Sequence, residues 1–76
     1  MNIQGLTHEI ETLREIVNAA ASRARDTRAY SSVTLKDTGN RGSDTIANVT
    51  LALRHLEDAS YRLSRALDEM PDQYDS

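Results

Sequence analysis

The sequence predicts an all-α protein: an antiparallel hairpin of two helices that assembles with further copies into an oligomeric helical bundle. Three observations predict it. Apolar or small residues recur at alternating steps of three and four along two long segments, the period of a helix face. Between those segments, SSVTLKDTGNRGS (residues 31–43) breaks the period and holds two of the three glycines, as connections do. On the second segment the apolar arc is wider than one neighbouring helix needs.

The first seam is Ile3, Leu6, Ile10, Leu13, Val17, Ala20, Ala24 and Thr27. It predicts a helix from about Thr7 to Tyr30, with Thr7 as N-cap and Glu9 and Glu11 near the positive end of the dipole. The connection spans about residues 31–43, after which Ser43 or Asp44 caps a second helix over about 44–70. Its seam is Ile46, Val49, Leu53, Leu56, Ser60, Leu63, Leu67 and Met70. Pro71 ends this helix and PDQYDS, residues 71–76, forms an acidic tail. The whole chain, 1–76, reads as a single hairpin domain.

The width of the second helix's apolar face follows from advancing about 100° per residue. Leu53, Leu56, Leu63, Leu67, Val49 and Ile46 fill the centre, and Ala52, Ala59 and Ala66 line one edge. The arc spans roughly 160°, against the roughly 100° that a single surface helix buries. Alanine every seven residues lets another helix approach closely. A chain of 76 residues also builds too small a core to stand without a staple or a partner. It has no cysteine, so disulfides and thiolate metal sites are excluded, and oligomerisation is the remaining route.

Charge and targeting narrow the function. The N-terminus MNIQGLTHEIETL has neither the basic start nor the apolar run of a secretory signal, and no segment has the length of a membrane span, so a cytoplasmic protein is expected. The net charge of −3 argues against a general DNA binder, which needs a broad basic footprint. Residues 1–22 sum to −2, 23–42 to +3 and 43–76 to −4, so the positive charge gathers around the connection.

Two constellations are candidates for binding. Arg54, Asp58, Tyr61 and Arg65 follow i, i+4, i+7, i+11 and share one strip of the second helix. As a solvated edge they would form i, i+4 pairs, Arg54 with Asp58, Asp58 with Arg62 and Arg65 with Glu69, each contributing a few tenths of a kcal/mol. As a ligand face, the arginines would clasp phosphate and the tyrosine would stack on a base. The second constellation is Arg23, Arg25, Arg28, Lys36 and Arg41 around Tyr30. Arg25 and Arg28 suit a helix C-terminus, where cations complement the dipole. Lys36 and Arg41 lie in the glycine-containing connection, where backbone N–H groups also bind anions. KDTGNRG lacks the order of a phosphate-cradling P-loop. His8 and His55 stand apart, and Glu57 and Asp58 are splayed by one helical step, which suits salt bridging better than shared proton chemistry. No catalytic residue, metal ligand or cofactor is expected.

The stretch VTLALRHLEDASYRLSRAL resembles the pattern L-S-L-A-[IL]-T-K-L-E-E-A-x-M-W-x-x-x-A-[IL] of the hairpin domain shared by phage anti-CBASS and anti-Thoeris sponge proteins. Leu51, Ala52 and Leu53 match its opening, Leu56, Glu57, Asp58 and Ala59 its L-E-E-A, and Ala66 with Leu67 its close. The family's Thr-Lys is Arg54-His55 here and its Met-Trp is Tyr61-Arg62. Val17 stands where the family often has a lysine used on ligand phosphate. The resemblance implies a small, non-catalytic homo-oligomer, a dimer or a trimer of dimers forming a hexamer. It would sequester cyclic di- or trinucleotides between protomers in the host cytoplasm, with no DNA and no membrane as partner. The cations on the ligand would then come from Arg28, Lys36, Arg41, Arg54 and Arg65, with Tyr30 and Tyr61 to stack. The alternative is a small dimeric helical interaction module, of adaptor, antitoxin or structural phage type, whose apolar arc recognises another helix.

Overall fold

The computed structural model describes residues 2–71. Two helices follow one another, α1 over Ile3–Thr34 and α2 over Asn40–Asp68, joined by a five-residue connection and packed antiparallel. The rod they form measures 61 × 16 × 14 Å. Among the described residues there is no strand, and no helix is long and apolar enough to cross a membrane.

Both helices reach further into the connection than the sequence predicts. α1 begins at Ile3, where the seam itself begins, because Asn2 caps it: its side chain accepts a hydrogen bond from the Gly5 N–H at 2.6 Å. Thr7, expected as the cap, sits inside the helix and donates its hydroxyl to the Ile3 carbonyl. At the other end Ser31 and Ser32 return their hydroxyls to the carbonyls of Thr27 and Arg28. Serine can satisfy itself this way within a helix, so the serines that read as loop extend α1 to Thr34.

The connection, residues 35–39, is correspondingly short. It turns on Gly39, whose φ of 74° and ψ of −148° belong to a region that side chains with a Cβ avoid. α2 starts directly after it at Asn40, with no side-chain cap, so neither Ser43 nor Asp44 serves as the expected cap. Gly42 is buried in the first turn of α2: a Cβ there would lie 1.8 Å from Thr38 Oγ1 and 2.8 Å from the Leu35 carbonyl oxygen. The glycines that read as loop residues therefore have separate tasks, one to turn the chain and one to let the turn fold onto the helix. α2 ends at Asp68, two residues before the expected boundary, with Met70 already turned to the Leu67 carbonyl ahead of Pro71, which disfavours helix in its predecessor. Of the predicted acidic tail, residues 72–76 lie outside those described.

The hairpin is zipped along one rim by polar side chains. Arg14 donates to Ser64 Oγ at 3.3 Å, Ser60 donates to Asn18 Oδ1, and Arg25 pairs with Glu57 at 3.5 Å. The first two set the register and place Ile16 level with Arg62, one residue from Leu63, while the Arg25 to Glu57 pair reaches about one turn further along α2. The hydrophobic interior is thin. Among the described residues only Ala21 and Leu53 are buried apolar side chains, while Leu6, Leu13 and Ile16 are 42%, 48% and 61% exposed.

Candidate functional site

The polar rim divides the hairpin into two unlike sides. Arg14, Asn18 and Arg25 occupy one edge of α1, and their partners Ser64, Ser60 and Glu57 occupy the facing edge of α2. Arg54, Tyr61 and Arg65 lie just beyond that edge on α2, since each falls within about 100° of Glu57 or Ser64 on the helical wheel, further from Leu53. The strip and two arginines of α1 therefore share one side. On the opposite side of the interhelical contact lie Leu6, Leu13, Ile16 and Ala20 of α1 with Leu56, Ala59, Leu63 and Ala66 of α2.

All the residues of the strip are exposed. Tyr61 is 55% exposed, and the guanidinium of Arg62 lies over its ring at 5.9 Å. Arg65 is engaged with Glu69 at 2.8 Å. Among the described residues the other expected i, i+4 pairs, Arg54 with Asp58 and Asp58 with Arg62, do not form ion pairs. Arg54 thus keeps a free guanidinium, and Arg62 shields a tyrosine face instead of neutralising an acid.

The seven candidate residues do not converge within one chain. In the register of the Arg14 to Ser64 and Ser60 to Asn18 contacts Arg28 comes level with Thr50, about one turn from Arg54, and it follows the line of Ala21 rather than that of Arg25. Arg65 lies eleven residues along α2 from Arg54, roughly 16 Å at the helical rise. Tyr30 sits within α1 about 180° from the buried Ala21 and 73% exposed, turned away from α2 and from Tyr61. Lys36 belongs to the connection and Arg41 to the first turn of α2, both at the far tip of the rod. Arg41 is thereby a helical residue and not part of a loop.

Sequence reading passed over Arg14 as a site residue and gave Arg25 only a helix-dipole role. The signal was present in their spacing, since positions 14, 18 and 25 are i, i+4, i+11, the same spacing as Arg54, Asp58 and Arg65. What was missing was the register of the two helices, which decides whether the edges meet.

Among the described residues, two of the shallow grooves lie away from the strip. One, about 390 Å³, is lined by Ile3, Gln4, Thr7, His8, Glu11 and Pro71 at the open end. The other, about 350 Å³, runs along α1 between Leu6, Glu9, Ile10, Thr12, Leu13 and Ile16. Neither includes the strip. Among the described residues no three His, Asp or Glu side chains gather as metal ligands would. No family model, curated protein or solved structure matches the chain.

Proposed function

We propose that this chain is a stoichiometric binding protein that works as an oligomer of hairpins and captures a cyclic di- or trinucleotide, without turnover, on the side carrying Arg54, Tyr61 and Arg65. In a phage-infected cell such a sponge would withhold an immune second messenger from its effector, as the resemblance to the anti-CBASS and anti-Thoeris hairpin domain implies. The observation that supports the reading is the division of the two sides. Arginines from both helices and an exposed tyrosine lie opposite the apolar side, so they stay open to a ligand when that side is covered.

The chemistry suits a small dianion or trianion. Guanidinium groups bind phosphate in bidentate geometry, a tyrosine ring supplies a stacking surface, and a compact ligand needs few cations.

The reading is tested by thermal denaturation with a panel of cyclic di- and trinucleotides at high micromolar concentration. A ligand that binds only the native state raises the melting temperature, and no shift across the panel overturns the proposal. Tyr61→Ala and Arg65→Ala are each expected to weaken binding about tenfold, the loss of one stacking or charge-assisted contact, with the oligomer intact. Normal affinity in both variants would make the strip a solvated edge.

A second reading is favoured by the exposed Leu6, Leu13 and Ile16: a helical interaction module whose apolar side takes a helix of another protein. It predicts a defined heteromeric complex and indifference to nucleotides.

A further inference from the structure

The exposed side of α1 has an order that neither helix formation nor ligand binding requires. Leu6, Leu13, Ala20 and Thr27 recur every seven residues, and beside them so do Glu9, Ile16, Arg23 and Tyr30. Two turns of helix take about 7.2 residues, so each set forms a line nearly parallel to the axis, and together they resemble the seam of a coiled coil. Leu13 and Ile16 are about half exposed or more, and the shallow groove along α1 runs beneath this face.

The charges on this seam invert about its centre. Glu9 and Arg23 stand seven residues to either side of Ile16. Among the described residues the ion pairs are Arg25 with Glu57 and Arg65 with Glu69, so Glu9 and Arg23 are left without a partner there. Laid antiparallel on itself with Ile16 over Ile16, α1 brings Glu9 of each copy level with Arg23 of the other. It also sets Leu13 near Ala20 and Leu6 near Thr27, large against small. A parallel arrangement would instead place Glu9 against Glu9 and Arg23 against Arg23.

α2 has the same centre of symmetry. On the same side of the hairpin, Leu56, Leu63 and Met70 form a seven-residue line whose midpoint is Leu63, and all three are half-buried. The crossings of Arg14 to Ser64 and Asn18 to Ser60 put Ile16 level with Leu63 to within a residue. One two-fold axis perpendicular to the helices therefore passes through the midpoints of both lines.

We infer that this face is the contact between two copies of the chain, packed antiparallel, α1 on α1 and α2 on α2, about a two-fold axis at Ile16 and Leu63. About this axis α1 overlaps its copy from Ile3 to Ala29, about 40 Å at the helical rise, and α2 overlaps its copy from Asp58 to Asp68, about 15 Å. A foreign helix has no need of charges that invert about the centre, whereas a second copy does. The interface does not depend on any ligand.

A residue on a two-fold axis meets its own copy, and the chain has no cysteine, so single thiols report the geometry directly. Under mild oxidation Ile16→Cys is expected to form a covalent dimer, as is Leu63→Cys, while Ser22→Cys on the polar side stays monomeric on a denaturing gel. Glu9→Arg and Arg23→Glu, each alone, set like charges together and should weaken self-association at least about tenfold by sedimentation. An equimolar mixture of the two, or the double variant Glu9→Arg/Arg23→Glu, should restore it. A wild type that sediments as a monomer at 100 μM overturns the inference. So do Ile16→Cys chains that cross-link no faster than Ser22→Cys, and single charge variants that assemble like the wild type. Loss of nucleotide binding with the dimer intact would sink the ligand reading alone.

Discussion

Gly42 and Gly39 lie three residues apart and resist a methyl group for different reasons. At Gly39 there is open space around the missing Cβ, but the backbone has φ of 74°, so the cost of Gly39→Ala is conformational, about 1 to 3 kcal/mol. At Gly42 the backbone is helical and alanine favours helix, yet the Leu35 carbonyl oxygen is 2.8 Å from where the Cβ would sit. The Thr38 hydroxyl is nearer still, and it donates to that same carbonyl at 2.7 Å, so it does not swing away without cost. Overpacking of this kind costs about 1 to 3 kcal/mol, which outweighs the roughly 1 kcal/mol that alanine gains over glycine in a helix. Both variants are expected to lower stability in urea denaturation. The second substitution separates them: Thr38→Ala in the Gly42→Ala background removes the nearer obstacle and should recover part of the loss, whereas in the Gly39→Ala background it should recover none.

At the scale of the element, Leu51 and Leu53 are the same residue type two positions apart in α2 and have opposite fates. Leu53 is 6% exposed and Leu51 48%, because two helical steps turn the side chain by about 200°. Leu53→Ala should cost about 2 to 5 kcal/mol in denaturant unfolding, and Leu51→Ala less than about 1. Equal effects would mean that α2 packs on a different face. This much was legible in the sequence, since Leu53 lies at the centre of the three-and-four seam and Leu51 does not. The helix ends were less so. Ser31 and Ser32 read as loop because serine favours loops on average, but in α1 their hydroxyls bond back to Thr27 and Arg28, and only the folded helix shows which option serine takes. The candidate site was legible by helix and not by hairpin. The strip Arg54, Tyr61, Arg65 follows from helical spacing alone, while its neighbours Arg14 and Arg25 depend on an interhelical register that no local pattern encodes.

At the scale of the molecule, the two sides of the rod differ in chemistry, and the separate roles proposed for them make a thermodynamic prediction. Fixing a residue's backbone costs about 1 to 2 kcal/mol, and burying one leucine returns about 2. A hairpin with only Ala21 and Leu53 buried among its described apolar residues, and Leu6, Leu13 and Ile16 exposed, has much to gain in stability from a cover on that side. If that is a second copy, unfolding and dissociation are one process and the melting temperature depends on protein concentration. A tenfold dilution removes about 1.4 kcal/mol from the association, which for two chains of this length lowers the melting temperature by about 3 to 5 °C. Ile16→Asp buries a carboxylate on the two-fold axis beside its own copy. It should lower the melting temperature and abolish its concentration dependence, leaving at most a weakly helical monomer by circular dichroism. Tyr61→Ala, on the opposite side, should leave both the melting temperature and its concentration dependence near those of the wild type. Calorimetric scans of the three proteins across a hundredfold concentration range decide the matter, and a wild-type melting temperature that does not move with dilution would mean that the hairpin is stable alone and its apolar side is free for another occupant.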